Sequence, residues 1–388
     1  MTLVLALPAV AAAQVELSGF VAAEGRLFFH PPSSSGIDRD DASLILQPEL
    51  FWESGDRRHS ALFVPFLRLN TADPQRTHFD VRELIYHRYE PRWELRAGMG
   101  RVFWGVTESR HLVDVINQTD LVEDIDGEDK LGQPMLNLTL KGDWGALDAF
   151  VLPGFRERTF PGRHGRVRSI PFVDADAAIY ESGAEQRRVD LALRFSTTAG
   201  DWDLGLAHFH GTSREPELLL RGDGAGDRFI PRYSVIHRTS LDLQATRGAM
   251  LWKLEALLQS GQGPTHIAWV AGGEYTLFGI GDSRVDLGLL LEHLMDGRGD
   301  QAPNPFQNDV FLGARLVLND EWGSELLAGV IEDLSAGGRL FSVEASRRLS
   351  DRWTAELEMR FWSGIPRGRI LSPLAREDYL QFTLNRYF

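Results

Sequence analysis

Long stretches of this chain alternate apolar and polar side chains with a period of two residues. In residues 353–361 every odd-numbered residue is apolar, and three of the four even-numbered residues are charged. Residues 189–195 alternate in the same way, with Asp190 and Arg194 on the polar side. Because successive side chains of a β-strand point to opposite faces, the pattern predicts strands with one apolar and one wet face.

The spacing of these segments predicts an all-β protein. Eight of the seventeen connections are tight and rich in Gly, Asp, Asn, Pro or Ser, the residue types that favour hairpin turns. The other nine connections alternate with them and are mostly long. We expect 16 to 18 strands, and the 18 candidates begin near residues 16, 42, 60, 80, 93, 135, 145, 189, 202, 233, 249, 266, 284, 309, 324, 339, 353 and 379.

This alternation places all short turns at one end of the strands and all long loops at the other. A closed antiparallel transmembrane β-barrel has that asymmetry, with short periplasmic turns and long extracellular loops. A soluble sandwich also has a wet outer face, and a β-propeller also repeats hairpins. No four-stranded repeat with a recurring motif is found. We therefore predict a single barrel over residues 14–388.

The last ten residues carry the most specific signal. Leu380, Phe382, Leu384 and Phe388 share one face of a final strand, and Arg386 interrupts that face. An alternating final strand that ends in Phe resembles the C-terminal signature of Gram-negative outer-membrane β-barrels. The resemblance implies a porin-like barrel in the bacterial outer membrane. It also implies that Phe382, Leu384 and Phe388 form an assembly signal for the barrel-assembly machinery.

A looser likeness links the chain to two groups of porins. Residues 100–105 read Gly-Arg-Val-Phe-Trp-Gly and precede a long polar segment. This run is similar to the strand and infolded loop of 18-stranded substrate-specific porins and of alginate-export-type porins. The likeness does not select one of the two groups.

The N-terminal residues predict export. Residues 1–13 form an apolar run closed by small residues, with Ala11 and Ala13 placed for cleavage before Gln14. The run lacks a basic start, so we expect a signal peptide whose beginning is missing. The absence of cysteine excludes disulfides and thiolate sites and is compatible with a Gram-negative envelope.

Charge and hydropathy narrow the function classes further. The chain has 41 Lys and Arg against 55 Asp and Glu, a net charge of −14, which argues against a nucleic-acid partner. No stretch approaches 18 apolar residues, so no membrane-spanning helix is predicted. We predict no metal site and no cofactor, because the clustered carboxylates of residues 124–129 lack the spacing of a calcium loop.

Tryptophans recur near the predicted strand ends. Amphipathic rings prefer the membrane–water interface, where they form girdles around barrels. We expect this role for Trp52, Trp93, Trp104, Trp144, Trp202, Trp322, Trp353 and Trp362.

The charged residues on the polar face of the strands predict a water-filled interior. A barrel of 16–18 strands leaves an aqueous channel, and a dry core could not hold the charges found on this parity. The lumen-facing candidates are Arg68, Arg96, Arg194, Arg315, Arg348, Glu356, Glu358 and Arg360.

Two of the long loops differ in charge. We expect residues 105–134 to fold inward as a constriction loop and to face an arginine-rich segment, since opposed charges set the selectivity of pores. The alternative is that both loops lie outside the barrel over lipopolysaccharide. The acidic candidates are Glu108, Asp114, Asp120, Glu123, Asp124, Asp126, Glu128 and Asp129. The basic candidates are Arg156, Arg158, Arg163, Arg166 and Arg168.

The favoured function is a non-enzymatic outer-membrane channel for passive or selective diffusion of small hydrophilic solutes. One alternative is an export-partner or structural barrel that its own loops plug. An outer-membrane hydrolase is the least favoured hypothesis, because no convincing Ser, His and carboxylate trio is found. The expected partners are outer-membrane lipid, lipopolysaccharide, the assembly machinery and the solutes, and a homotrimer is a further expectation.

Overall fold

The alternating segments form one closed sheet in the computed structural model, which describes residues 14–32, 36–223 and 226–388. The expected signal peptide, residues 1–13, lies outside the described residues. The strands are β1 (Gln14–Phe28), β2 (Asp41–Glu53), β3 (His59–Asn70), β4 (His78–Glu90), β5 (Trp93–Gly100), β6 (Gln133–Gly142), β7 (Gly145–Pro153), β8 (Ile179–Tyr180), β9 (Val189–Ala199), β10 (Trp202–Thr212), β11 (Glu217–Asp223), β12 (Gly226–Tyr233), β13 (Val235–Arg247), β14 (Met250–Gly261), β15 (Gly263–Leu277), β16 (Asp286–Asp296), β17 (Asn308–Val317), β18 (Glu325–Asp333), β19 (Arg339–Ser350), β20 (Trp353–Ser363) and β21 (Tyr379–Tyr387).

Eighteen of these strands pair antiparallel with their neighbours around the barrel. The first strand closes the ring, since β1 pairs with β2 on one side and with β21 on the other. Each barrel strand begins within three residues of its predicted start. The predicted fold class, an all-β closed antiparallel barrel of 18 strands, is confirmed.

The period of two separates an apolar outside from a polar inside. On β9, Leu191 and Leu193 are about half exposed on the outer face, whereas Asp190, which precedes Leu191 and has the opposite parity, is completely buried. The outer faces of the other strands carry exposed leucines in the same way, among them Leu46, Leu138, Leu206, Leu291 and Leu312. A closed sheet needs this arrangement in lipid, because every backbone N–H and C=O is paired and only apolar side chains meet hydrocarbon.

The connections divide between the two rims as the sequence predicts. Both described termini and the eight short turns lie at one rim, where β4 and β5, for example, are joined by two residues. The long connections, including residues 101–132 and 154–188, leave from the other rim. Within them, β11 pairs with β12, and β12 pairs with β8, in a small three-stranded sheet outside the barrel ladder.

The remaining regular structure consists of short 3-10 turns. They span Pro74–Arg76, Ala175–Ala177, Glu185–Arg187, Ile280–Asp282, Gly299–Gln301 and Ser372–Leu374. Across the ranges that the structure describes, no helix is long and apolar enough to span a bilayer.

Two of the predicted girdle tryptophans lie inside instead. Trp104 and Trp362 are each 5% exposed and belong to buried clusters of the interior. The girdle prediction is wrong for both, because Trp104 lies on an infolded segment and Trp362 follows Arg360 on the inward parity of β20. Trp144, Trp202 and Trp353, by contrast, are exposed near the short-turn rim.

Candidate functional site

The connection between β5 and β6, residues 101–132, crosses the interior of the barrel, and we call it the infolded segment. Its residue Asp120 contacts Arg82 of β4, and Asp126 contacts Arg360 of β20. On the far side, Thr107 is hydrogen-bonded to β14. A segment that touches β4, β14 and β20 divides the space inside the sheet.

Two wall carboxylates hold the first part of the infolded segment by its backbone. Glu255 of β14 is fully buried and accepts the N–H groups of Val106, Thr107 and Val113 at 2.7–3.0 Å. Glu292 of β16 accepts the N–H groups of Glu108 and Ser109, both at 2.8 Å. Charge-assisted bonds of this kind are about twice as strong as neutral ones. Sequence reasoning did not find these anchors, because inward parity does not show which carboxylates meet a loop.

Apolar residues of the infolded segment complete the attachment. Val113, Val115 and Ile116 share a buried cluster with Phe150 and Phe209 of the wall. Leu112 belongs to a second cluster, on the side of β14 to β17. The alternation of residues 112–116 therefore allows the segment to pack in two directions across the interior.

Acidic residues in the middle of the infolded segment pair with arginines of the wall. Glu123 contacts Arg68 of β3 at 2.6 Å, and both side chains are 5% exposed. The Asp120–Arg82 contact is also 2.6 Å, and Asp120 in addition accepts a bond from Thr159. Burial of these charges is sustained by their pairing, which removes the large cost of an isolated buried charge.

The other acidic candidates also lie near cationic partners, with one exception. Their nearest charged contacts are Arg315 for Glu108 at 2.6 Å, Lys130 for Asp114 at 3.3 Å, Arg26 for Asp124 at 3.8 Å, Arg360 for Asp126 at 3.1 Å and His111 for Glu128 at 3.8 Å. For Asp129 the contact is made by the backbone, since its carbonyl accepts the Asp120 N–H at 2.8 Å. Most of the acidic loop charge is therefore turned toward the wall.

His111 of the infolded segment lies between two carboxylates. Its Nε2 is 3.8 Å from Glu128, and its Nδ1 is 4.0 Å from Glu255. Burial lowers the pKa of His111, but the two carboxylates outweigh burial and raise the pKa to about 9. The imidazole is therefore a cation at neutral pH.

Only part of the arginine-rich segment reaches the infolded segment. Arg156 donates to the Gly132 carbonyl at 3.1 Å, and Arg158 donates to the Gln118 side chain at 3.4 Å. The remaining three contact other groups: Arg163 lies over the Phe172 ring, Arg166 pairs with Glu377, and Arg168 donates to the carbonyls of Gly165 and Ser169. The acidic residues of the infolded segment are therefore paired mainly with arginines of the barrel wall and less with those of the arginine-rich segment.

The lumen-facing candidates lie on the inner face, mostly in pairs. Arg68 and Arg360 are paired as described above, Arg194 forms two 2.7 Å bonds with Asp242, and Arg315 also approaches Glu274. The others are Arg96 bonded to Asn137, Glu356 bonded to Asn385, Glu358 bonded to Tyr379, and Arg348, which is exposed near the short-turn rim.

Beside the infolded segment the barrel keeps a cavity of about 400 Å³. Its lining carries cations and anions in similar number, including Arg238 and Arg298 as well as Glu128 and Glu344. One wall of the cavity is apolar, with Leu257, Ala268, Phe311, Leu327, Ile331 and Leu340. Sequence reasoning missed this wall, because inward positions were assigned by their charge.

One group of side chains has the types that ligate a metal ion. The ligand atoms of His78, Asp120 and Glu123 lie within 4.8 Å of one another. Both carboxylates, however, are already engaged by Arg82 and Arg68. These guanidinium groups occupy the acceptors that a cation would need, so the group fits an ion-pair network.

The closed antiparallel sheet of 18 strands, with an apolar outside, a polar interior and an infolded segment, has the architecture of a transmembrane β-barrel. No family model matches the chain, and no curated protein matches it. A mutant of Rh. blastica porin is similar over 97% of this chain and 100% of its own, with 9% identity and a TM-score of 0.47. OmpT, an outer membrane protein of Vibrio cholerae in trimer form, is similar over the same shares, with 10% identity and a TM-score of 0.49.

Proposed function

We propose that this protein is a non-enzymatic channel of the bacterial outer membrane, through which small hydrophilic solutes diffuse passively or selectively. The observation that carries the proposal is the cavity beside the infolded segment, which is lined by charges of both signs. A barrel of this strand number encloses more space than its own inward side chains fill. The constriction is then formed by residues 105–134, most of which belong to the infolded segment.

Planar-bilayer recording tests the channel and the constriction together. The purified protein is expected to produce discrete conductance steps. Replacing Asp124, Asp126, Glu128 and Asp129 by their amides should change the conductance and lower the preference for cations, because fixed charges at a constriction set ion selectivity. The exposed turn variant Asp143→Asn is the matched control. Currents identical to those of the unmodified protein would remove these residues from the pore.

A second candidate is an export-partner or structural barrel that its own loops plug. It is favoured by the firm attachment of the infolded segment, which Glu255, Glu292 and Arg82 hold at three places on the wall. Protein that inserts into bilayers as a folded barrel but carries no current would support this candidate and contradict the open channel.

The surroundings of the barrel follow from the same proposal. Phe382 is 48% exposed on the outer face and Leu384 shares its parity, which suits recognition by the assembly machinery and contact with lipid and lipopolysaccharide. We further propose a homotrimer. Fractionation of cell envelopes tests the outer-membrane location, and the mass of the folded protein in detergent tests the trimer.

A further inference from the structure

One end of the cavity holds more positive charge than its own carboxylates balance. Glu215, in the connection between β10 and β13, receives Arg110 at 2.9 Å and Arg298 at 3.6 Å. Burial alone raises the pKa of Glu215, but Arg110, Arg298, Arg238 and Arg158 together hold it well below its usual range. Two guanidinium groups therefore contact Glu215, and Arg158 and Arg238 line the same cavity.

Two of the four guanidinium groups have only neutral acceptors. Arg158 donates to the Gln118 side chain and to the Arg214 carbonyl, at 3.4 and 2.7 Å. Arg238 donates to the Gln259 side chain at 2.8 Å and to the Leu112 carbonyl at 3.3 Å. In residues 14–32, 36–223 and 226–388, no carboxylate lies within 4.0 Å of either guanidinium.

Neutral oxygens satisfy N–H groups but leave the charge uncompensated. Arg238 is 7% exposed, and its Nη2 makes no hydrogen bond with any described residue. The neighbouring acid Asp296 is already engaged by Arg298 at 2.7 Å. A buried charge without a partner is costly, so this end of the cavity is suited to an anion that arrives from outside.

The wall next to this cluster is apolar. Leu257 of β14 pairs with Ala268 of β15, and two residues further along the same strands Gln259, the acceptor of Arg238, pairs with His266. Phe311, Leu327 and Ile331 continue the apolar surface across β17 and β18. In addition, Arg110 lies over the Phe306 ring at 5.7 Å. An anion held by the arginines would thus have an apolar surface against the rest of its body.

We propose that this cavity binds an amphipathic organic anion, with its charged group among Arg110, Arg158, Arg238 and Arg298 and its apolar body against Leu257, Phe311 and neighbouring side chains. The role of this anion as a solute of the channel rests on the proposed function, whereas its binding in the cavity does not. Glu215 acts as a tethered counter-ion that the solute's anionic group displaces from the guanidinium cluster and that returns when the solute leaves.

Benzoate is the probe, because it joins a carboxylate to an apolar ring. Acetate has the charge without the ring, and benzyl alcohol has the ring without the charge. Calorimetry on the folded protein in detergent should show benzoate binding at least about tenfold more tightly than either. In bilayers, benzoate should reduce the single-channel current in a concentration-dependent manner, while benzyl alcohol leaves it unchanged.

Three variants and one control separate the contributions of charge and apolar contact. Arg238→Gln and Arg158→Gln should each weaken benzoate binding about tenfold, since each removes a charge-assisted hydrogen bond. Ile331→Thr, which shortens the side chain and introduces a hydroxyl on the apolar wall, should weaken the binding of benzoate but not of acetate. Arg348→Gln, on the lumen parity but near the short-turn rim, should bind benzoate as the unmodified protein does. Heat-modifiable migration on gels verifies that each variant is folded.

The outcomes distinguish this inference from the channel proposal. Benzoate that binds no more tightly than acetate, or that binds Arg238→Gln as well as the unmodified protein, overturns the anion site even if the barrel conducts. Binding with the predicted variant pattern in a barrel that carries no current supports the anion site and contradicts the channel.

Discussion

Glu255 holds Thr107 by two hydrogen bonds: its carboxylate accepts the Thr107 backbone N–H at 3.0 Å and the Thr107 hydroxyl at 2.8 Å. The first residue is on a wall strand, and the second is on the infolded segment. The two residues are 148 positions apart in the chain, so only the folded barrel brings them together. The position of the infolded segment therefore depends on a side chain of the opposite wall.

Weakening this anchor should enlarge the pathway. In Glu255→Gln the charged acceptor becomes a neutral amide, which weakens bonds to three backbone N–H groups that the segment cannot satisfy elsewhere. Hydrogen bonds to charged groups contribute about 1.5–3 kcal/mol each, compared with about 1 for neutral ones. We expect larger and noisier single-channel conductance steps. Glu356→Gln, an inward residue bonded to Asn385 of the wall, is the control and should conduct normally.

The buried pair of Glu123 and Arg68 should contribute to stability. Arg68 also contacts Glu24 at 2.9 Å, so Glu123→Gln leaves the guanidinium with one carboxylate. The loss of one charged hydrogen-bonded contact should lower the free energy of unfolding by about 2 kcal/mol. The double variant with Arg68→Gln should lose less than the sum of the two single losses, because the pair is already broken. Urea titration of the barrel in detergent measures both. The exposed pair Arg339 and Glu332 provides a comparison, and Glu332→Gln should leave the midpoint unchanged.

The charge on His111 predicts a pH dependence. Its pKa is raised from 6.5 to about 9, so its attraction to Glu128 and Glu255 is fully present below about pH 6.5 and is lost as the pH rises through 9. We expect the segment to loosen and the conductance to change between pH 8 and pH 10. His111→Gln should show no such step. A step of equal size in that variant would assign the titration to another group.

Adjacent residues of β2 test which face meets lipid. Leu46 is 38% exposed on the outer face, whereas Gln47 pairs with Phe20 on the inner face. Leu46→Arg places a charge in hydrocarbon and should cost about 2–4 kcal/mol near the midplane. Gln47→Arg places the same charge in the lumen and should cost much less. Urea titrations in lipid vesicles compare the two, and equal losses would contradict the assignment of the faces.

The strands could be predicted because each signal is local. Asp190 and Leu191 are neighbours in the chain, and their charged and apolar side chains already indicate opposite faces of the strand. Turn residues in the sequence mark where the strands end. Trp104 and Trp362 mark the limit of such reasoning. Both lie near strand ends, as girdle residues do. The chain around Trp104, however, turns inward, and Trp362 has inward parity. Proximity to a turn does not distinguish an inward-facing tryptophan from an outward-facing one.

The amino-acid sequence by itself indicated 16 to 18 strands, the strand starts to within three residues, the closed antiparallel architecture and the inward parity of residues such as Arg68 and Arg360. Tertiary structure alone decided that Glu255 anchors the infolded segment and that Arg110 pairs with Glu215 at 2.9 Å. The physical reason is that period-two alternation acts between neighbouring residues, whereas these contacts join residues far apart in the chain that only the closed ring brings within hydrogen-bond distance.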